Sequence, residues 1–171
     1  MDLMPFTTAV DRFLAAPKQA TGSFEWQPAP KPPDQSGFWN LVVGGKVSPH
    51  KIRIVARLGM PARCFCVMVL FEWMTELVPI TRLNVDPEQQ EHINRPPRPP
   101  GVPGLITGCR EFPWRLNRGT FSPHMRHLPF AIPLAEEHHH FHAAIAYHTA
   151  AAGIDLSAVA LPDYPRREGL F

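Results

Sequence analysis

The sequence predicts an α+β fold, with a mostly antiparallel sheet of five or six strands flanked by an N-terminal and a C-terminal helix. Helical periodicity occurs near both ends of the chain, and apolar runs of strand length fill the middle. These runs follow one another through short connections, without the long helices that a parallel sheet requires. With 171 residues, of which 44% are hydrophobic, the chain can bury one core. We expect one domain over residues 1–154 and an extended tail over 155–171.

The first helix is predicted over residues 6–16. Its apolar positions recur at helical spacing, and Pro17 ends the run. The chain has 21 prolines, and regular structure should fail where they concentrate, because proline lacks a backbone N–H. We therefore expect proline-rich loops near residues 28–33 and 86–104.

Strands are predicted in the middle of the chain. Residues 51–58 alternate between apolar and mostly basic side chains, which predicts one buried and one solvent-facing side. Residues 63–73 are apolar at successive positions, which is typical of a central strand covered on both faces. Gly44-Gly45 predicts a tight turn. The predicted strands are 24–26, 38–43, 51–58, 63–73 and 77–85, with a further strand over 105–114 and a last short strand at 130–132.

The C-terminal helix is predicted over residues 136–152. Glu136 and Glu137 suit the positive end of the helix dipole, and Gly153 suits the position just after the last turn. On such a helix His138 and His142 lie four residues apart and share a face, so that two imidazoles could bind zinc. The alternative is a histidine patch that faces solvent or a partner. We expect no cofactor other than zinc.

A basic segment lies between residues 46 and 63, with five cations and no acidic residue. Three of the cations alternate along the predicted strand 51–58 and form a positive stripe of about 20 Å, at ~3.3 Å per residue. Such a stripe could follow the phosphate backbone of RNA or DNA. The alternative is an ordinary solvated strand face, and the net charge of +2 does not decide between them. The predicted nucleic-acid-binding residues are Lys51, Arg53, Arg57, Arg63 and Arg115.

Histidines and arginines concentrate again over residues 110–127, with Trp114 and Phe121 between them. Metal-independent cleavage of RNA needs one group to take the 2′-hydroxyl proton, another to protonate the leaving oxygen, and a cation on the phosphate. The sequence therefore favours a toxin-like ribonuclease. Its predicted catalytic residues are His92, His124 and His127 for proton transfer, and Arg82 and Arg118 for charge stabilisation.

Two short segments resemble known patterns. Residues 80–84, with His92-Ile93-Asn94 and the prolines that follow, resemble a pattern in small toxin-like proteins of bacterial mobile elements. The C-terminal Leu170-Phe171 resembles the short Leu-Phe peptides by which bacterial proteins dock on the replication sliding clamp. This second resemblance implies an alternative function, a non-enzymatic binding or inhibitory protein that docks on a protein partner through its tail or its proline-rich loops. An antitoxin or a replication protein is the kind of partner expected, unless Leu170 and Phe171 pack on their own domain.

Several function classes lack their motifs. The sequence contains no phosphate-binding Gly-x-x-x-x-Gly-Lys-Ser/Thr loop, no Gly-x-Gly-x-x-Gly and no Gly-x-Ser-x-Gly. Three cysteines are an odd number, which suits free thiols in a reducing compartment. The longest apolar run is too short to cross a bilayer, and we expect a cytoplasmic protein.

Overall fold

The computed structural model describes residues 4–59, 63–86, 90–121, 123 and 127–166. Within these residues the helices are α1 (Met4–Ala15), α2 (Trp114–Asn117) and α3 (Phe141–Ala151), and Glu136–His138 forms a 3-10 turn. The first six strands are β1 (Lys18–Thr21), β2 (Gln27–Pro28), β3 (Gln35–Val43), β4 (Lys46–Arg57), β5 (Cys64–Trp73) and β6 (Glu76–Val85). The others are β7 (Glu91–Ile93), β8 (Leu105–Thr107), β9 (Arg110–Phe112), β10 (Ile132–Pro133) and β11 (Ile154–Asp155).

One large sheet organises the described chain. It has nine strands in the order β10-β9-β6-β5-β4-β3-β1-β11, with β2 paired to β3, and β7 and β8 form a separate hairpin. Every pair is antiparallel except β1 with β11. The predicted mixed fold and antiparallel sheet are confirmed, and the predicted number of five or six strands is too small. The additional strands include β2 and β11, whose two residues are too few to show a period of two.

The register divides the sheet into two faces. Ile52, Ile54, Val67 and Val69 are fully buried on the face that packs against the helices, which is the core face. Phe6 of α1 packs there against aromatic rings, and α3 contacts β5 and β6 from the same side. The predicted alternation of residues 51–58 is confirmed, because the apolar members are buried and the basic members are partly exposed.

The C-terminal helix begins later than predicted. Residues 136–152 do not form one helix, because His140 is extended, with φ −84° and ψ 147°, and separates the 3-10 turn from α3. His138 therefore lies outside the helix that carries His142. Gly153 follows the helix with φ 67°, a left-handed conformation that glycine adopts readily, so the predicted end is confirmed.

Other boundaries differ from the prediction. The segment 24–26 is not a strand, and β4 is longer than predicted because it continues back through Pro49 to Lys46. The proline-rich region 86–104 contains β7 and ends against β8, so its described part is more regular than expected. Gly44 and Gly45 both have positive φ in the turn between β3 and β4, as predicted.

Two buried asparagines hold the segment before β10. Asn117 accepts a hydrogen bond from Phe130 N and donates one to Phe130 O, both at 2.8 Å. Asn94 does the same with Ala131, at 2.8 and 2.9 Å. Each side-chain amide takes the place of a neighbouring strand, which satisfies backbone groups that would otherwise be buried without partners. The β7–β8 hairpin is thereby fixed against this segment.

The segment after β11 returns across the domain. The Tyr164 ring lies 5.4 Å from that of Phe141 and 6.3 Å from that of Phe65, and its hydroxyl donates to Cys64 O at 3.1 Å. Trp26 Nε1 donates to Asp163 O at 3.0 Å. Leu170 and Phe171 lie outside the described residues. Of the helices that the structure describes, none combines the length and the apolar character needed to cross a membrane.

Candidate nucleic-acid interface

The side of β3, β4, β5 and β6 opposite the helices carries the cations; we call it the open face. The register pairs Arg53 with Met68 and Met68 with Arg82, so these three side chains form a row across β4, β5 and β6. Strands lie about 4.8 Å apart, which places the two arginine Cα atoms about 10 Å from each other. Lys51 and Arg57 share this face, because they lie two and four residues from Arg53 along β4.

A cavity of about 690 Å³ lies on this face. Lys51, Arg53 and Arg82 line it, and no carboxylate is found among its described lining residues. Its floor is largely apolar. The apolar lining residues are Phe38, Met68, Leu70, Leu77 and Pro79. A cavity with cationic walls and an apolar floor suits a ligand that carries negative charge on a flat, weakly polar body.

Aromatic rings and neighbouring polar groups position the cations. Lys51 Nζ lies 4.0 Å from the ring centroid of Phe38, which is itself 42% exposed. The Arg82 guanidinium lies 4.1 Å from the ring centroid of Phe112, and Arg53 Nη2 donates to Ser36 Oγ at 3.3 Å. Burial lowers the pKa of Arg82, because water that would stabilise its charge is partly excluded.

A strained hairpin turn closes one end of the cavity. Met74 and Thr75 connect β5 to β6 with φ of 49° and 71°. This is the left-handed region, which is unfavourable for a β-branched residue such as threonine. Thr75 lines the cavity. The predicted strands 63–73 and 77–85 leave a connection here, but its left-handed backbone was not predicted, because Met-Thr is not a typical turn-forming pair. Strain of this kind is often kept at functional sites.

His92 lies beside the open face and contacts the Phe112 ring, on which the Arg82 guanidinium also packs. Its ring lies 5.0 Å from that of Phe112, and its Nε2 lies 3.1 Å from both Asn94 Oδ1 and Pro129 O. Because both neighbours are carbonyl oxygens, Nε2 carries the proton and donates. Burial is the main cause that lowers the pKa of His92. The structure thus brings two of the predicted catalytic residues, Arg82 and His92, into one neighbourhood.

The remaining predicted site residues are scattered. Arg118 forms an ion pair with Asp11, with Nη2 2.7 Å from Oδ2, on the side of the molecule that carries α1. Arg115 is exposed on α2, and the Arg63 guanidinium lies 5.4 Å from the Tyr164 ring near the C-terminal segment. Neither arginine belongs to the open face, so the predicted five-residue surface is reduced to Lys51, Arg53 and Arg57. His127 is exposed, and His124 lies outside the described residues.

The two histidines predicted to bind zinc have separate environments. His138 stacks on Tyr147 with 3.9 Å between ring centroids, and His142 Nε2 lies 2.9 Å from Pro162 O. The shared helical face that the prediction required does not form. In the described part of the chain, no group of three or more histidine, cysteine or acidic side chains is placed to hold a metal ion.

Comparison with known protein families, with curated proteins and with solved structures finds no match to this chain. Its function therefore has to be inferred from the chemistry of the open face.

Proposed function

We propose that the open face binds single-stranded RNA or DNA. The observation that carries the proposal is the 690 Å³ cavity, whose described walls hold Lys51, Arg53 and Arg82 without a carboxylate, above an apolar floor. Cations supply the salt-dependent affinity for phosphates, and exposed apolar and aromatic surface supplies stacking for bases.

A single strand fits this surface better than a duplex. Base faces are hidden inside a duplex, whereas an unpaired strand can lay its bases on a sheet and its phosphates against the flanking cations. Phe38 is the exposed aromatic ring on the face, and Met68 forms the floor between Arg53 and Arg82. The net charge of +2 is compatible with this function, because the open face gathers four cations of its own, Lys51, Arg53, Arg57 and Arg82.

Cleavage of the bound strand remains a prediction from the sequence. His92 supplies one imidazole near Arg82; of the other two predicted proton-transfer groups, His127 is exposed and His124 lies outside the described residues. The docking of Leu170 and Phe171 on a protein partner is likewise a prediction, and it does not depend on the open face.

Fluorescence anisotropy with short single-stranded RNA and DNA, measured from about 50 to 200 mM salt, tests the proposal. Four phosphate contacts, from Lys51, Arg53, Arg57 and Arg82, should give a slope of log affinity against log salt of about −3. Lys51→Gln and Arg53→Gln should each reduce the slope by about 0.7. Phe38→Ala should weaken binding about tenfold, because it removes a stacking surface.

Matched controls come from exposed arginines away from the open face. Arg12→Gln on α1 and Arg115→Gln on α2 remove the same type of charge and should leave affinity and slope unchanged. If these controls weaken binding as much as Lys51→Gln does, the interaction is non-specific. Affinity that does not change with salt would contradict the proposal.

A further inference from the structure

We propose that Arg57, Arg82 and Arg110, the arginine triad, form a subsite for the terminal phosphate monoester of a nucleic-acid strand. This inference rests on the proposed function and names the part of the strand that this end of the open face recognises.

The sheet brings the triad together from three strands. Arg82 of β6 and Arg110 of β9 lie on the same side, because Asn84 pairs directly with Arg110 and Arg82 is two residues from Asn84. Arg57 of β4 reaches across β5, so that its Nη1 lies 3.8 Å from Oδ2 of Asp86, the residue after β6. Burial is the main cause that lowers the pKa of Arg82 and of Arg110, and the nearby charge of Arg57 lowers both further.

The triad has unused hydrogen-bonding capacity. Nε of Arg82 and Nε of Arg110 are both buried without an acceptor, and so is Oδ2 of Asp86 without a donor. The contact of 3.8 Å between Arg57 and Asp86 is too long for a hydrogen bond. Buried donors without acceptors are unfavourable, so an anion that accepts from these groups would stabilise the site.

The charge of the triad matches a terminal phosphate. Three guanidinium groups face one buried carboxylate, Asp86, which leaves two positive charges in excess. An internal phosphodiester carries one negative charge, whereas a terminal phosphate monoester carries about −1.5 to −2 at pH 7. The planar donors of arginine also suit two-point recognition of a phosphate.

The open face is closed at this end. Arg110 is only 6% exposed, and its Nη1 donates to Gly108 O at 2.8 Å and to Gln90 O at 2.6 Å, just before β7. His92 of β7 packs on Phe112 and continues the wall. A ligand on the open face can reach the triad through its two less buried members. The Arg57 side chain is 34% exposed, and Arg82 is half-buried. A strand that reaches the triad cannot continue past it, so an end fits there and an internal segment does not.

The test compares three versions of one short single strand, with an internal fluorophore, in EDTA. One carries a 5′-phosphate, one a 3′-phosphate, and one has hydroxyls at both ends. We expect one of the phosphorylated strands to bind at least tenfold more tightly than the hydroxyl strand, and this arm identifies which end is recognised. Arg82→Lys and Arg57→Lys keep the charge, lose the planar donors, and should reduce the preference to about twofold or less.

Lys51→Gln is the matched control, because Lys51 lies on the open face outside the triad. It should weaken all three strands alike and leave the preference unchanged. Equal affinity for the three strands, or a preference that survives both lysine variants, would overturn the inference while the proposed function stands. Failure of all three strands to bind would remove the proposed function itself. If Arg57→Lys is unfolded by circular dichroism, Arg82→Lys alone decides.

Discussion

His148 is a buried titratable residue whose effect on stability has a definite sign. It lies on α3 with its Nε2 3.0 Å from Thr81 Oγ1 on β6, and its side chain is almost inaccessible to water. Burial lowers the pKa of His148 to about 4, from an ordinary value of 6.5. The folded protein therefore keeps this imidazole neutral at neutral pH.

The free energy of unfolding should fall as the pH is lowered from 6.5 to 4. In this range the unfolded chain binds a proton on His148 that the folded protein does not bind, so acid favours unfolding. At 1.36 kcal/mol for each pKa unit, the loss is about 3 kcal/mol over the full range. Urea unfolding at pH 7 and pH 4.5 measures it, with His148→Gln as the control that keeps a polar contact to Thr81. Equal losses in the native chain and the variant would refute the assignment.

Arg82 shows how far single residues could be interpreted from the sequence. It was predicted to stabilise charge, but not to join the stripe of β4, because the pairing of β4, β5 and β6 cannot be derived from spacing along one strand. A usable signal was present: Arg82, Asn84 and Asp86 are polar at alternate positions at the end of β6 and just after it. The ion pair of Arg118 with Asp11 could not be predicted either, since the two residues lie far apart in the sequence.

Among the structural elements, the β7–β8 hairpin and the segment before β10 depend most on single side chains. Asn94 donates through Nδ2 to Pro103 O at 2.7 Å and to Ala131 O at 2.9 Å. Asn94→Asp replaces the donor with an oxygen that faces these carbonyls, so we expect a loss of about 3 kcal/mol in the free energy of unfolding.

Urea unfolding at pH 7 measures this loss. Asn40→Asp, at a half-buried position of β3, is the control with the same chemical change and should cost less than about 1 kcal/mol. Similar losses in the free energy of unfolding at the two positions would show that Asn94 does not hold the segment before β10.

Elements with strong periodicity could be predicted closely, whereas the short strands could be predicted only roughly or not at all. The long strands β3 to β6 and helix α1 follow their sequence patterns closely, because each buries one face or both faces in the core. The strands β7 to β11 have two or three residues each, and they exist because neighbouring strands and the asparagine amides pair with them. That information resides in tertiary contacts and leaves no local pattern.

At the scale of the whole molecule, the question is whether residues 155–166, which follow α3, contribute to the stability of the fold. The Tyr164 ring packs on Phe65 and Phe141, so Tyr164→Ala should lower the free energy of unfolding by about 2 kcal/mol. The variant should also expose residues 155–166 to limited proteolysis. Tyr164→Phe, which keeps the ring and removes the hydroxyl bond to Cys64 O, should cost about 1 kcal/mol. Unchanged proteolysis in Tyr164→Ala would mean that the segment is held elsewhere.

The fold class could be predicted from the sequence, whereas the candidate site could be predicted only in part. The alternation in β4 predicted a basic face, and this face exists. Its extension across β6 and β9, and its closure by β7, depend on the order of strands in the sheet, which antiparallel pairing preferences alone do not determine.

The parallel pairing of β1 with β11 has a consequence for synthesis of the chain. Lys18 pairs with Ile154, so one edge of β1 has no neighbour until Ile154 has left the ribosome. An unprotected edge of this kind can recruit another nascent chain. Slower translation, or a higher density of ribosomes on one messenger RNA, should therefore lower the yield of folded protein. This effect should occur even though the folded protein, once formed, is equally stable.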